Sequence, residues 1–523
     1  MAVLLEWLPA ASVRVAVPVC LVVWYVVSCV SAWYRLRHVP GPFIASFSYL
    51  WMAMTAGSSK QAYIHRDLFK KYGPVVRIGP NEVATGDPEI ARRAGATSGT
   101  WKRDDWYLGS MPDAKGRTMG QMQEPRIHDA LRAKLAPAYN GRDVLALEPG
   151  VDGNIGDLKQ LLRRRISQGG SVVDLVDPIA YFAIDVVATA AFGKPAGFLK
   201  QDRDVGDILS GIHSWVPGST VMCDTPWIRN IVMSEWFFNR FGPKPTDPRG
   251  FGRIMRMSQE AVGKRFSSKT QREEDHDMLG SFIRRGGLGK EQCQIELLTT
   301  IVAGSDTTSS ATRLTLLYLM TCPRVYYKLK GVIVHAIREG KASDPISQAE
   351  AKKIPYLQAV IHEGLRMRPP APVLTPKVVP PEGEHIGGKF IPGGTAITSN
   401  RYAKQWELMR SPIFGDDVEL FRPERFMEAD ENRRAEMYRT TELIFGSGRW
   451  QCAGKSLAFM ELNKVFFELL RTFDFQLVNP TSPMDSTSYM LFSEKNLWVH
   501  VTEVDEAERV DPKSHEEPGS QCV

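Results

Sequence analysis

Two long stretches of this chain are apolar with no polar face, and they differ in what interrupts them. Val15 to Tyr34 is a run of twenty uncharged residues, enough to cross the hydrocarbon core of a bilayer as one helix. Gln294 to Met320 instead reads as a helix running through the middle of a large core, roughly 40 Å long at about 1.5 Å per residue. Its centre is Ala303-Gly304-Ser305-Asp306-Thr307-Thr308-Ser309-Ser310. Glycine weakens a helix, and six successive polar residues inside a buried one all need partners. One reading has the hydroxyls bonding back to carbonyls one turn earlier, with the aspartate in a solvent channel. The other has a site of chemistry at the break.

Elsewhere the pattern is shorter in period or length. Val75-Val76-Arg77-Ile78 and Glu82-Val83-Ala84-Thr85 flank Gly-Pro turns and read as strands, and a second patch of short strands is expected between 371 and 400. Helical spacing dominates from about 124 to 370, and Lys455 to Phe473 is amphipathic. The fold predicted is mainly α with small β-sheets. No repeat or low-complexity linker divides the body, so one domain is expected over 39–503, after an anchor at 1–38 and before a charged, disordered tail at 504–523.

Charge places the anchor. Arg35, Arg37 and His38 follow the apolar run, while only Glu6 and Arg14 precede it, so positive-inside counting puts the body in the cytosol. The rival is a cleaved signal peptide ending near Val30-Ser31-Ala32, against which the apolar run is too long. Val39-Pro40-Gly41-Pro42 reads as a stiff elbow. The aromatic segment Trp215 to Phe241 is either core or a patch that dips into the membrane surface.

The 523 residues carry a formal net charge of +6, too small and scattered for nucleic-acid binding, and Arg163-Arg164-Arg165 reads as a solvated helix face. There is no Gly-rich dinucleotide fingerprint and no P-loop, so electrons for any redox reaction must come from a separate protein. Seven scattered cysteines form neither a disulfide framework nor a metal-site spacing, which favours a reducing compartment. No N-glycosylation site occurs; Asn479-Pro480-Thr481 is excluded by its proline.

The chemistry centres on Phe445-Gly446-Ser447-Gly448-Arg449-Trp450-Gln451-Cys452-Ala453-Gly454. Three glycines in this run mark backbone that turns sharply or approaches a flat object. A thiol at a helix start is acidified by the dipole and by free N–H groups, and a thiolate so held binds iron; the plainer reading is an inert cysteine at a helix start. Glu363 and Arg366 sit three apart on one helical face before Pro369-Pro370, and Arg425 lies in Phe421-Arg422-Pro423-Glu424-Arg425-Phe426. Alone, such pairs are routine on helix surfaces.

Their order is what carries weight. A-G-x-D-T-T, then E-x-x-R, then P-E-R-F, then F-x-x-G-x-x-x-C-x-G closely resembles the cytochrome P-450 family of haem-thiolate monooxygenases, over about residues 40 to 500. The variant G-R-W-Q-C-A-G-K resembles filamentous-fungal enzymes of secondary metabolism, including pisatin demethylase-like proteins. The resemblance implies the cytochrome P-450 fold, heme b ligated by Cys452, and electrons from NADPH through a cytochrome P-450 reductase, with cytochrome b5 as a further donor. It implies an endoplasmic reticulum membrane protein that is single-pass with a cytosolic body, oxidising a lipophilic small molecule.

Residue by residue, the resemblance assigns Cys452 as the iron ligand and Phe445, Gly446, Arg449 and Gly454 as its cradle. Ala303 and Gly304 face the haem on the other side, and Thr307 and Asp306 relay protons toward bound oxygen. His128 and Arg132, one turn apart, are assigned to a haem propionate, though by charge alone they are equally an exposed pair. Glu363, Arg366 and Arg425 are assigned to structure. The position two before the cysteine is usually Arg and here is Trp450, so either Arg449 turns inward or His128 and Arg132 carry that charge. The substrate pocket is expected from parts of Arg103 to Met122, Ala303, Val373-Leu374 and Tyr489-Met490-Leu491, with Ala303 and Ala371 leaving room. The remaining functional alternatives are a haem-thiolate isomerase or dehydratase that does not use O2, and a non-catalytic haem-binding membrane protein.

Overall fold

The computed structural model describes residues 10–113, 115–267, 276–398 and 413–505; most of the expected charged tail lies outside them. The fold is mainly helical with four small sheets, as the sequence predicts. The first helix, Ala10–Leu36, contains an apolar span at Val15–Leu36 that is long enough to cross a membrane and is not buried in the body.

The central helix runs Lys290–Thr321, a few residues beyond the predicted ends. It packs most extensively against Val176–Phe192, a helix buried on nearly all sides, and also against Gly250–Ser267, Pro355–Met367 and Lys455–Thr472. The closest approach to Val176–Phe192 is at Gly304, where a Cβ would meet Val187 Cγ2 at 2.6 Å. That glycine therefore serves helix pairing as well as the break. The hydroxyls of Thr300, Ser305, Thr307 and Thr312 donate to carbonyls one turn back, at 2.8 to 2.9 Å. This back-bonding lets the polar run stay inside the helix.

A five-stranded sheet holds the N-terminal half of the body to the residues after Pro355–Met367. Val75–Arg77 pairs antiparallel with Glu82–Thr85, which runs parallel to Ala396–Thr398; Lys377–Val378 and Lys102–Arg103 complete it. Val83 faces Ile397 in this register, and both are buried. Phe473–Leu477 leaves the end of the helix Lys455–Thr472 and pairs with Trp498–Glu503.

The anchor joins this sheet through Arg77, which is 1% exposed. Its guanidinium donates to the carbonyls of Ala32 (2.9 Å), Trp33 (3.3 Å), Ser46 (3.0 Å), Gly79 (3.0 Å) and Pro80 (2.8 Å). The first two lie near the end of the first helix, whose last four carbonyls, Trp33 among them, need such donors. Pro40 accepts from the Arg77 amide at 2.8 Å, so the elbow is packed against the strand. Each lost bond is worth about 1 kcal/mol net. Arg77→Met should therefore leave the body folded but loosen the elbow, seen as at least about tenfold faster proteolysis around residues 36–42 in membranes. An unchanged cleavage rate would show that Arg77 does not hold the elbow.

Of the aromatic segment, Trp215 packs against Phe251, whereas Trp227, Trp236 and Phe241 are exposed. Arg163 and Arg165 form surface ion pairs with Glu503 and Asp202, as a solvated helix face would.

Candidate functional site

The central helix, the cysteine loop and the helix after it supply most of the lining of a cavity of about 1070 Å³, a space that includes its opening to solvent, with Tyr139, Val187 and Met278 added from other helices. The central helix presents Glu296, Thr299, Thr300, Ala303, Gly304, Thr307 and Thr308, one face at helical spacing. Also lining it are Phe445, Cys452, Ala453, Gly454, Leu457, Ala458 and Glu461, the last three along one face of Lys455–Thr472. Cys452 and Thr307 thus line the same cavity. Met119, Gly120 and Ala371 add to the rim. Val373, Leu374 and the 489–491 turn, expected there, do not line it; Met490 instead accepts a bond from Ser219 at 3.7 Å.

The loop's shape follows from its glycines. Gly446 has φ +75° and Gly448 φ +53°, and a Cβ on Gly448 would collide with the carbonyl of Gly95. The turn brings the Cys452 amide onto Phe445 O at 2.6 Å. This fixes the sulfur three residues ahead of a helix that starts at Lys455. The Phe445 ring rests on Phe459, centroids 5.3 Å apart.

Beside the cysteine loop the structure answers the Trp450 substitution. Arg449 donates to Thr97 O and approaches Asp129 at 3.7 Å; its side chain is 9% exposed, with Nε buried and without a hydrogen-bond partner among the described residues, and it is not among the residues lining the cavity. Arg132 is tied to the main chain next to the cysteine, donating to Gln451 O at 2.6 Å. The Arg103 guanidinium lies 4.5 Å from the Trp450 ring centre and the Lys377 ammonium 5.8 Å from it. The His128 ring is 4.5 Å from the same indole. The indole has thus replaced a cation with a surface on which two others rest. Sequence reasoning missed Arg103 and Lys377, because nothing local ties them to position 450.

These groups fit a planar cofactor with anionic edges. Trp450 Nε1 and Arg103 Nε are buried and lack a hydrogen-bond partner among the described residues, and both are donors. His128 Nε2 is likewise unpartnered, while Nδ1 meets Asp129 at 3.0 Å. Burial, then the Arg103 cation, lowers the His128 pKa to about 4; an anion at this edge would favour its second proton. A thiol on one apolar wall and a cluster of cations at the edge suit a porphyrin dicarboxylate.

Glu363, Arg366 and Arg425 are brought together as one fully bonded set. Glu363 accepts from Arg366 at 2.7 and 2.8 Å, from Arg425 at 3.0 Å and from the Arg422 amide at 2.9 Å. The remaining guanidinium protons go to Asp417 and to carbonyls of Phe414, Val418 and Leu420. All three side chains are buried. They pin the segment 414–425 to the helix Pro355–Met367.

Asp306 and Thr307 diverge. Thr307 lines the cavity. Asp306 is buried, not in a solvent channel, and points to the neighbouring helix Ile208–Asp224, where it meets His213. Glu461 is a further residue the sequence reading passed over. It lines the cavity, is 1% exposed, and its Oε2 has no partner. Burial raises its pKa well above the ordinary carboxylate value. Its place nine residues after Cys452, on the helix face of Gly454, Leu457 and Ala458, was available from periodicity.

Residues 39–499 match the family described as Cytochrome P450. The chain is 47% identical over 475 residues to the cytochrome P450 monooxygenase aba1 of Botryotinia fuckeliana, covering 90% of this chain and 92% of that one. It is 42% identical to abl1 of Leptosphaeria maculans, covering 90% and 83%, and 42% identical to ABA1 of Pyricularia oryzae, covering 90% and 92%.

Proposed function

The chain belongs to the cytochrome P450 family and is a monooxygenase of the fungal type, and from that premise we propose that it oxidises a lipophilic small molecule in fungal secondary metabolism. The observation that carries this is one cavity lined by both Cys452 and the Ala303–Thr307 break. A haem bound through the Cys452 thiolate supplies the oxygen-activating chemistry, the thiolate pushing electron density toward O–O cleavage.

The chain's own groups do the rest. The Phe445 carbonyl and the loop amides hold the sulfur still. Arg103, Lys377, Trp450, His128 and Arg132 would hold the carboxylate edge of the cofactor. Thr307 manages protons at the cavity and Asp306 supplies them from behind it, and Gly446 and Gly454 give the backbone room beside the sulfur. Electrons arrive from NADPH by way of a reductase, with cytochrome b5 as a second donor. Val15–Leu36 anchors the protein to the endoplasmic reticulum membrane with residues 39–503 in the cytosol. The exposed Trp227, Trp236 and Phe241 suit the lipid surface.

Reductase-driven oxygen uptake tests the reading against a haem-thiolate isomerase or dehydratase and against a non-catalytic haem protein. Reductase with NADPH should drive O2 uptake, and one 18O atom should enter the organic product found only when the gene is expressed. Unlabelled product would overturn it. Within that assay, Thr307→Ala should raise the hydrogen peroxide released per O2 by about tenfold, the usual scale of a lost proton-transfer group. Unchanged coupling would remove Thr307 from proton handling.

A further inference from the structure

Asp306 has one side-chain partner among the described residues. His213, on the helix Ile208–Asp224, places Nε2 3.0 Å from Asp306 Oδ1, and a carboxylate accepts there, so the ring donates. The two ends of the pair live in different media: the His213 side chain is 41% exposed and that of Asp306 6%. The second carboxylate oxygen, Oδ2, is buried and unpartnered. A solvent-reaching imidazole is thus bonded to a buried carboxylate whose other oxygen is free to accept, one residue before Thr307 in the same helix.

We infer that His213 is the solvent-side positioning residue that charges Asp306 with the protons used in the cavity, an inference that rests on the monooxygenase reading above. The imidazolium gives its Nε2 proton to Asp306 Oδ1, leaving a neutral ring and a neutral carboxylic acid. The carboxyl group turns and releases that proton toward Thr307, returning to carboxylate. The half-exposed ring swings to solvent, regains a proton at Nε2 and re-forms the pair.

Burial opposes charge on His213, but the bond to Asp306 outweighs it, and the pKa lies above the ordinary histidine value. The other charges acting on the ring are Arg313 on the central helix and Glu494 on the strand Phe492–Lys495. Those two pair with each other at 3.2 Å and are buried, so they largely offset one another. With its pKa raised, His213 keeps its proton to higher pH than a free histidine and loses it as pH rises further.

The test uses membrane-reconstituted holoenzyme with its reductase and NADPH, no organic substrate added, across about pH 6 to 9. The readout is the fraction of consumed O2 recovered as water and not as hydrogen peroxide. Wild type should show a single fall in water yield with rising pH. H213K, which stays charged, should be flat over that range, and H213Q should give about fivefold less water than wild type at low pH. A second readout is independent of turnover: the His213 ring, followed by NMR in 13C-histidine protein, should titrate above free histidine and drop toward it in D306N. H213Q with wild-type water yield and pH profile would overturn the inference, as would a His213 titration unmoved by D306N. Wild-type holoenzyme that binds haem yet takes up no O2 would instead sink the monooxygenase reading, and this inference with it.

Discussion

Cys452→Ser is expected to abolish the thiolate-type band of the reduced, carbon-monoxide-bound protein and to reduce O2-dependent turnover below detection. The serine hydroxyl preserves the loop, since the bond from the residue-452 amide to Phe445 O is made by the main chain. What is lost is the anionic sulfur, whose electron donation no neutral hydroxyl supplies. The body should still fold, because the central helix and Lys455–Thr472 meet through buried residues that do not include position 452. Circular dichroism unchanged from wild type alongside a missing thiolate band is the expected pair of results. A retained band would reject Cys452 as the ligand.

Glu363→Ala should do the opposite, removing the fold and not only the chemistry. The carboxylate is 0% exposed and takes four hydrogen bonds, three of them from the two buried guanidinium groups. Truncating it leaves Arg366 charged and buried without its counterion and Arg425 with Asp417 alone, an outcome that costs about 3–5 kcal/mol. That is a large part of the total stability of a typical domain, about 5–15 kcal/mol. The variant should express as aggregate or as protein that retains no haem, and a thermal melt of any soluble fraction should be lowered by several degrees. Glu363→Gln, keeping two acceptors' worth of shape but no charge, should fall between. A Glu363→Ala protein with a wild-type melt would show that the ion set is not what holds 414–425 in place.

How much of this was readable in the chain depended on the range of the interactions. The cysteine loop, the break at 303–310 and the helix carrying Glu363 and Arg366 are written in contiguous residues, and the structure has them as loop, helix and helix. Glu82–Thr85 appears as a strand over the residues the alternation suggested. By contrast, the cations that rest on Trp450 come from residues 103 and 377, far along the chain in both directions. The partner of Asp306 is 93 positions away. Neither pairing leaves a spacing to detect. Arg77 was hidden for a different reason: its partners are main-chain carbonyls, which look alike in every sequence. Glu461 was within reach, since following one face of the helix after Cys452 leads to it.

The bond from Thr307 Oγ1 to Ala303 O, 2.8 Å long, has a chemical corollary. The hydroxyl's only hydrogen is committed to its own helix, so toward the cavity this side chain shows lone pairs alone. Whatever comes to rest against it must bring a hydrogen to give: a water, a protonated oxygen or an alcohol is welcomed, whereas an ether or ketone oxygen is turned away until the threonine breaks with its own carbonyl.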